Sequence, residues 1–226
     1  MTDTQTEHLV TLVNPRSVVA EAYRSLRTNL EFSSLDHPLR TMILTSAAPE
    51  EGKSVTLANL AVTMAQAGKR VIIADCDLRR PSQHRLFELR QNPGLTTMIL
   101  EGNALTRLPL QSTSVPNLQV LASGPLPPNP AELLSSQHMI NVIKVLADQA
   151  DVVLFDAPPV IAVTDAVVLA AKVDGVLLVV QAGRTRREHV EKAKALLDKV
   201  NARVVGCILT NVRADSSLQY YYTAQA

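Results

Sequence analysis

The chain has no tryptophan, three phenylalanines and four tyrosines in 226 residues. So few aromatics exclude a core built on stacked rings. They also exclude an RNA-binding face that stacks bases on aromatic side chains. The interior must be aliphatic, because 46% of the residues are hydrophobic and most of those are Ala, Val, Leu or Ile. An excess of one charge is lacking too. Twenty-two Lys and Arg face 21 Asp and Glu, a net +1, so no global field draws the chain to nucleic acid or anionic lipid. The two cysteines, Cys76 and Cys207, lie far apart in apolar contexts, which predicts reduced, buried thiols and not a disulfide. No run reaches the roughly 18 apolar residues of a membrane span. The start, MTDTQTEHLVTLVNP, lacks the cationic stretch and apolar segment of a signal peptide. The expectation is a cytoplasmic protein without a nucleic-acid partner, brought to any membrane by something else.

What is present is a rhythm of aliphatic runs and amphipathic stretches. Val18, Val19, Tyr23, Leu26 and Leu30 recur at helical spacing, predicting a helix from Ser17 to about Ser33. Strands are predicted at TMIL (41–44), RVIIAD (70–75), NLQVLASG, DVVLFDAPP, GVLLVVQAG and ARVVGCILT. Helices are predicted between them: SVTLANLAVTMAQAG, ended by Gly68; Pro130 to about Ala150, capped by Asn129; TDAVVLAAK; and TRREHVEKAKALLDKV. Loops and short helices fill 79–115. Alternating β-branched strands and helices predict a mostly parallel α/β sheet covered on both faces. Ligands of such sheets bind beyond the carboxyl ends of the strands.

Three motifs stand at those ends. Ala47 to Ser54 reads A-x-x-x-x-G-K-S, a P-loop with Ala in place of the first Gly. Its backbone N–H groups, over Glu50, Glu51, Gly52, Lys53, Ser54 and Val55, suit a phosphate cradle at a helix N-terminus. Lys53 would reach the β- and γ-phosphates and Ser54 would ligate Mg2+. Glu50 and Glu51 are tolerable beside a triphosphate only with their side chains turned outward, and a positive φ at Glu50 would cost roughly 1 kcal/mol. The second strand ends in ADCDLRRP, with Asp75, Asp77 and Arg79. Two carboxylates leaving a buried strand need a cation or a proton; an Asp–Arg pair in a solvated turn is the plainer reading. The strand VVLF delivers Asp156 in the manner of a Walker B segment. Separately, Glu21, Arg24 and Arg27 are spaced E-x-x-R-x-x-R on one face of the first helix. That spacing allows either pairing within the helix or contacts to a neighbouring subunit. Arg184, Arg186 and Arg187 form a short basic patch, most simply a solvated helix start. His84, His138 and His189 show no ligand spacing.

This set resembles the bacterial tyrosine kinase (BY-kinase) family of capsule and exopolysaccharide synthesis. The resemblance rests on SAAPEEGKS, VIIADCDLRRP, VVLFDAPP, the EAYRSLRTNL helix and a C-terminal tyrosine cluster, and runs from about Glu21 to Tyr222. It implies a P-loop NTPase fold related to MinD and ParA. Residues 1–213 would be the kinase domain, with an oligomerisation helix at about 17–33, and 214–226 a flexible tail. The implied activity is ATP- and Mg2+-dependent autophosphorylation of Tyr220, Tyr221 and Tyr222 in trans within a ring, regulating polysaccharide synthesis or export. Carried over by position, Lys53 holds phosphates; Ser54, Asp77 and Asp156 organise Mg2+; Asp75 is the candidate base towards the tyrosine hydroxyl. Glu21, Arg24 and Arg27 assemble the ring. The resemblance further implies a separate transmembrane activator of the polysaccharide co-polymerase type and a cognate tyrosine phosphatase. Where the family has an Asn near adenine, Thr210 and Asn211 both stand. The alternative is a MinD/ParA-like ATPase switch that passes phosphate to water. Against it, Ala48, Pro49 and Glu50 replace that group's K-G-G signature, and LQYYYTAQA is not an amphipathic membrane helix.

Overall fold

The computed structural model describes residues 9–34, 37–101 and 108–212. The tyrosine-bearing segment 214–226, with Tyr220, Tyr221 and Tyr222, lies outside the described residues. In chain order the elements are α1 (Val10–Val13), α2 (Val18–Ser33), β1 (Thr41–Ser46), α3 (Lys53–Gln66), β2 (Val71–Asp75), α4 (Gln83–Leu86), α5 (Leu95–Glu101), β3 (Gln111–Ser112), β4 (Leu118–Leu121), α6 (Pro130–Ser135), α7 (Gln137–Gln149), β5 (Val152–Asp156), α8 (Asp165–Ala170), β6 (Gly175–Gln181), α9 (Arg187–Asp198) and β7 (Val204–Thr210). The seven strands form one sheet in the order β3-β4-β2-β5-β1-β6-β7. Every pair is parallel except β3 with β4. The two-residue strand β3 carries no apolar run and no sequence signal.

Alternation along the strands splits the core into two layers. Met42 and Leu44 of β1 face one side with Leu57, Leu60 and Ala61 of α3 and Leu30 of α2. Ile43 faces the other side, with Phe155 and residues of α5, α7, α8 and α9. Phe155 is the one fully buried aromatic among the described residues, as an aliphatic interior requires. The first long helix begins where the sequence predicts, because the Ser17 hydroxyl accepts the Ala20 N–H at 3.1 Å.

Three expectations need correction. The predicted helix from Pro130 to Ala150 is two helices. Ser136 takes an extended conformation (φ −60, ψ 158) and its hydroxyl caps α7 by accepting the Met139 N–H at 3.2 Å. Asn129 precedes α6 but makes no side-chain cap; its amide donates to Glu132 instead, at 3.3 Å. Cys76 is buried, but Cys207 is exposed, because β7 is an edge strand whose residues are only partly covered or exposed. No helix of the described residues is long and apolar enough to cross a membrane.

Candidate functional site

The parallel strands β2, β5, β1 and β6 all end on the same edge of the sheet, and the predicted motifs meet there. β1 runs into the P-loop, whose glycine, Gly52, takes φ +83 as the N-cap of α3. A left-handed residue at that point lets the chain reverse and aim successive N–H groups outward, which glycine does without a Cβ penalty. Glu50 is also left-handed, at φ +62, the strained backbone that a positive φ at this position implied. Its side chain is exposed and meets Arg184 at 3.2 Å.

Glu51 does not behave as expected. It is 3% exposed and its carboxyl turns inward. Oε2 accepts the Ala48 N–H at 3.0 Å, and Thr185 donates its hydroxyl to Oε1. The Glu51 carbonyl accepts the Thr210 hydroxyl at 2.9 Å. The buried Glu51 carboxyl thus ties the P-loop to the loop after β6, and its backbone carbonyl ties it to β7. Thr185 and Thr210 lie more than 130 positions away, beyond the reach of local pattern. Thr210, the last residue of β7, thus borders the P-loop, and Asn211 follows it with φ +56.

Lys53, Asp75, Asp77 and Asp156 come together. The Lys53 ammonium lies 2.8 Å from Asp77, 3.2 Å from Asp156 and 3.0 Å from the Ser54 hydroxyl. Asp75 and Asp156 are directly opposed in the β2–β5 register, and both are fully buried. Burial works to lower the Lys53 pKa, but Asp156 and Asp77, with the Asp77 hydrogen bond and then Asp75, outweigh it and hold the ammonium above its ordinary value. Burial, reinforced by Asp156, pushes Asp75 up to about 7; the N–H bonds of Gln83 and Ser82 and the Lys53 charge oppose the shift. Asp75 Oδ2 accepts those two N–H groups at 2.9 Å each, and Oδ1 accepts only the Asp77 N–H, at 3.3 Å. Burial and then the carboxyls of Asp75, Asp156 and Asp77 also raise the Cys76 thiol, which marks the site as crowded with negative charge.

The plainer Asp–Arg reading of the turn does not hold. Arg79 grips Asp165 of α8 with two bonds, at 2.9 and 3.1 Å, and so fastens the loop after β2 to the loop after β5. Sequence reasoning missed Gln83 altogether. Its side-chain amide donates to Asp156 Oδ2 at 2.8 Å and to the Ser54 carbonyl at 3.1 Å. It lies six residues past Asp77 in a segment with no motif.

The donor set fits Mg2+. Ser54, Asp77 and Asp156 offer only oxygens, the ligands of a hard cation. Three carboxyls face one ammonium, and a buried amide oxygen of Gln83 has no partner. No three His, Cys, Asp or Glu side chains among the described residues group as a metal site on their own. Mg2+ takes one or two carboxylates and completes its shell with water and phosphate.

On α2, Glu21 pairs with Arg24 at 2.6 Å, and Arg24 also donates to the Pro15 carbonyl at 2.9 Å. Arg27 leaves that pair and donates to the Thr63 carbonyl of α3 at 3.1 Å. Tyr23 hydrogen-bonds Thr56 of α3, and burial raises its pKa while that bond lowers it. Of the basic patch, Arg184 meets Glu50 and Arg187 meets Glu191, both solvated pairs. His138 is exposed, while His84 and His189 are partly buried.

Comparison with known proteins agrees with the fold. A family model described as ParA, NUBPL iron-transfer P-loop NTPase, matches residues 40–217. The tyrosine-protein kinase YwqD of Bacillus subtilis (strain 168) is 40% identical over 95% of this chain and 90% of its own. The chimerical protein CapA2B2 superposes with a TM-score of 0.87 at 36% identity, over 92% of this chain and 91% of that one. The kinase domain of the Escherichia coli tyrosine kinase ETK gives 0.86 at 31% identity, over 92% and 82%.

Proposed function

The chain belongs to the bacterial tyrosine-protein kinases, on the ParA-type P-loop NTPase fold, and from that membership we propose that it transfers the γ-phosphate of ATP, with Mg2+, to Tyr220, Tyr221 and Tyr222 of its own C-terminal segment. The observation that carries this reading is the Lys53 ammonium held between Asp77 and Asp156 at the ends of adjacent strands.

The mechanism follows from what the residues offer. The N–H groups from Glu50 to Val55 and the Lys53 ammonium take the phosphates, with Lys53 leaving its carboxyl partners as it does so. Ser54, Asp77 and Asp156 would hold Mg2+, which would supply charge neutralisation on the phosphate oxygens. A tyrosine oxygen attacks the γ-phosphorus in line as the bond to the β,γ-bridging oxygen breaks, and ADP departs. The phenol has an ordinary pKa near 10, so its proton must go to a base as the P–O bond forms. Asp75, pushed up to about 7, is matched to neutral pH as that base. Its Oδ2 is held by two N–H donors, which leaves Oδ1 to take the proton.

Transfer in trans within a homo-oligomeric ring is supported by the EAYRSLRTNL helix α2, whose Glu21 and Arg24 are partly exposed. A separate transmembrane activator, an opposing tyrosine phosphatase and control of capsule or exopolysaccharide synthesis complete the proposal. So does a cytoplasmic location with recruitment to the inner membrane face.

The test is γ-labelled ATP with Mg2+ and purified protein, counting label in protein and in free phosphate. Label should enter the protein as phosphotyrosine and vanish when Tyr220, Tyr221 and Tyr222 are all changed to Phe. Release of free phosphate without protein label would replace this reading with the ATPase switch.

A further inference from the structure

Gln83 is fully buried beside the candidate metal ligands. Its side-chain nitrogen faces Asp156 Oδ2 at 2.8 Å and the Ser54 carbonyl at 3.1 Å. A carbonyl can only accept, so the amide orientation is fixed by its neighbours and the nitrogen must point at them. The other end, Oε1, is therefore an acceptor. It is buried and has no hydrogen-bond partner.

The neighbouring nitrogen donors are engaged elsewhere. The three protons of Lys53 are matched by the oxygens of Asp77, Asp156 and Ser54. The N–H groups of Ser82 and of Gln83 itself are taken by Asp75. A buried acceptor left in this state is costly, and a donor from outside the chain would satisfy it. Water on a divalent cation is such a donor, since the cation's charge polarises its O–H bonds, and Mg2+ keeps several waters.

We propose that Gln83 is a positioning residue of the metal–nucleotide site: its Nε2 fixes Asp156 and the Ser54 carbonyl, and its Oε1 accepts a hydrogen bond from a water of bound Mg2+. The role rests on the kinase reading above. It is the outer contact that orients a ligand carboxylate, and loss of such contacts typically weakens metal binding by about 10–100-fold.

The experiment measures ADP affinity with and without Mg2+, together with Mn2+ affinity by electron paramagnetic resonance at saturating ADP. Both use the full chain, its Gln83→Met variant and, should that variant fold poorly, Gln83→Asn, whose shorter amide cannot span the same partners. The expected result is metal-free ADP affinity within about twofold of the parent, with Mn2+ affinity and the Mg2+ enhancement of ADP binding reduced by about tenfold or more. Gln83 acting only through packing would lower thermal stability and leave the metal enhancement unchanged, and that outcome overturns the proposal. A parent chain that binds no ADP would overturn the kinase reading itself, and this role with it.

Discussion

Glu50 holds the P-loop in a conformation that a side chain resists. At φ +62 its Cβ crowds the backbone, a cost of roughly 1–2 kcal/mol for most residues, and the exposed pair to Arg184 returns little. Changing Glu50→Gly should leave stability within about 1 kcal/mol of the parent, relief of strain being set against the greater freedom of an unfolded glycine. Glu50→Val should fall clearly below both, because a β-branched residue is a true outlier at positive φ. Thermal melts of the three proteins give the order. Asp75 makes a different prediction. Its folded pKa lies above its unfolded one, so the folded protein binds more protons between the ordinary carboxylate range and about 7. Its contribution is fully present at lower pH and is lost as pH rises through about 7. Asp75→Asn removes this dependence, so the variant should gain on the parent as pH climbs to about 7 and hold a constant difference above it. Denaturant melts of nucleotide-free protein across that range check the sign. At this scale the sequence was readable where phosphate chemistry dictates spacing, as at Lys53, Asp75, Asp77 and Asp156. It was silent where a side chain's meaning comes from distant partners. Glu51 turned inward because Thr185 is there to meet its carboxyl, and Gln83 became part of the site because β5 brings Asp156 beside β2.

Among the elements, α2 is doubly employed. Tyr23 and Arg27 fasten it to α3, the helix that begins with the P-loop, whereas Glu21 and Arg24 pair with one another on the partly exposed side. Substitutions in the three-residue motif should therefore separate. Arg27→Ala should destabilise the isolated protomer by about 1–2 kcal/mol, through the lost bond to the Thr63 carbonyl. Arg24→Ala should change protomer stability by under about 0.5 kcal/mol and still reduce assembly. Melting curves paired with sedimentation distinguish the two, and equal loss of stability in both would refute the division. The division of the 130–150 helix is equally specific. Ser136→Ala removes the α7 cap and should cost about 1 kcal/mol. The helical periodicity of that stretch continues through Ser136 almost unbroken, which explains why pattern alone predicts one helix; the break is set by packing against α8 and by the cap. Strands were more legible than helix boundaries. Each buried strand is a continuous aliphatic run, whereas β3, two polar residues long, is defined only by its neighbour.

For the molecule as a whole, the proposed exchange between protomers can be read by mixing. Lys53→Met protein cannot hold phosphate, and protein with Tyr220, Tyr221 and Tyr222 changed to Phe cannot accept it. Each alone should show no label. Mixed, they should label the tail of the Lys53→Met chain, and silence in the mixture at concentrations that permit assembly would exclude transfer between chains. The sheet order adds a consequence. β7 is the edge strand, parallel to β6 and two places from β1. Strand spacing puts its end only about 10 Å across the sheet from the P-loop strand, on the same rim as the P-loop. In the proposed assembly the segment that follows Val212 would therefore be tethered close to active sites, a neighbour's included. Tethering of this kind gives an effective concentration on the order of millimolar, far above that of a free cellular protein. Selectivity for its own tyrosines then needs no recognition pocket: a foreign acceptor sequence grafted after β7 should be modified nearly as well as the natural one, and the same peptide in solution hardly at all.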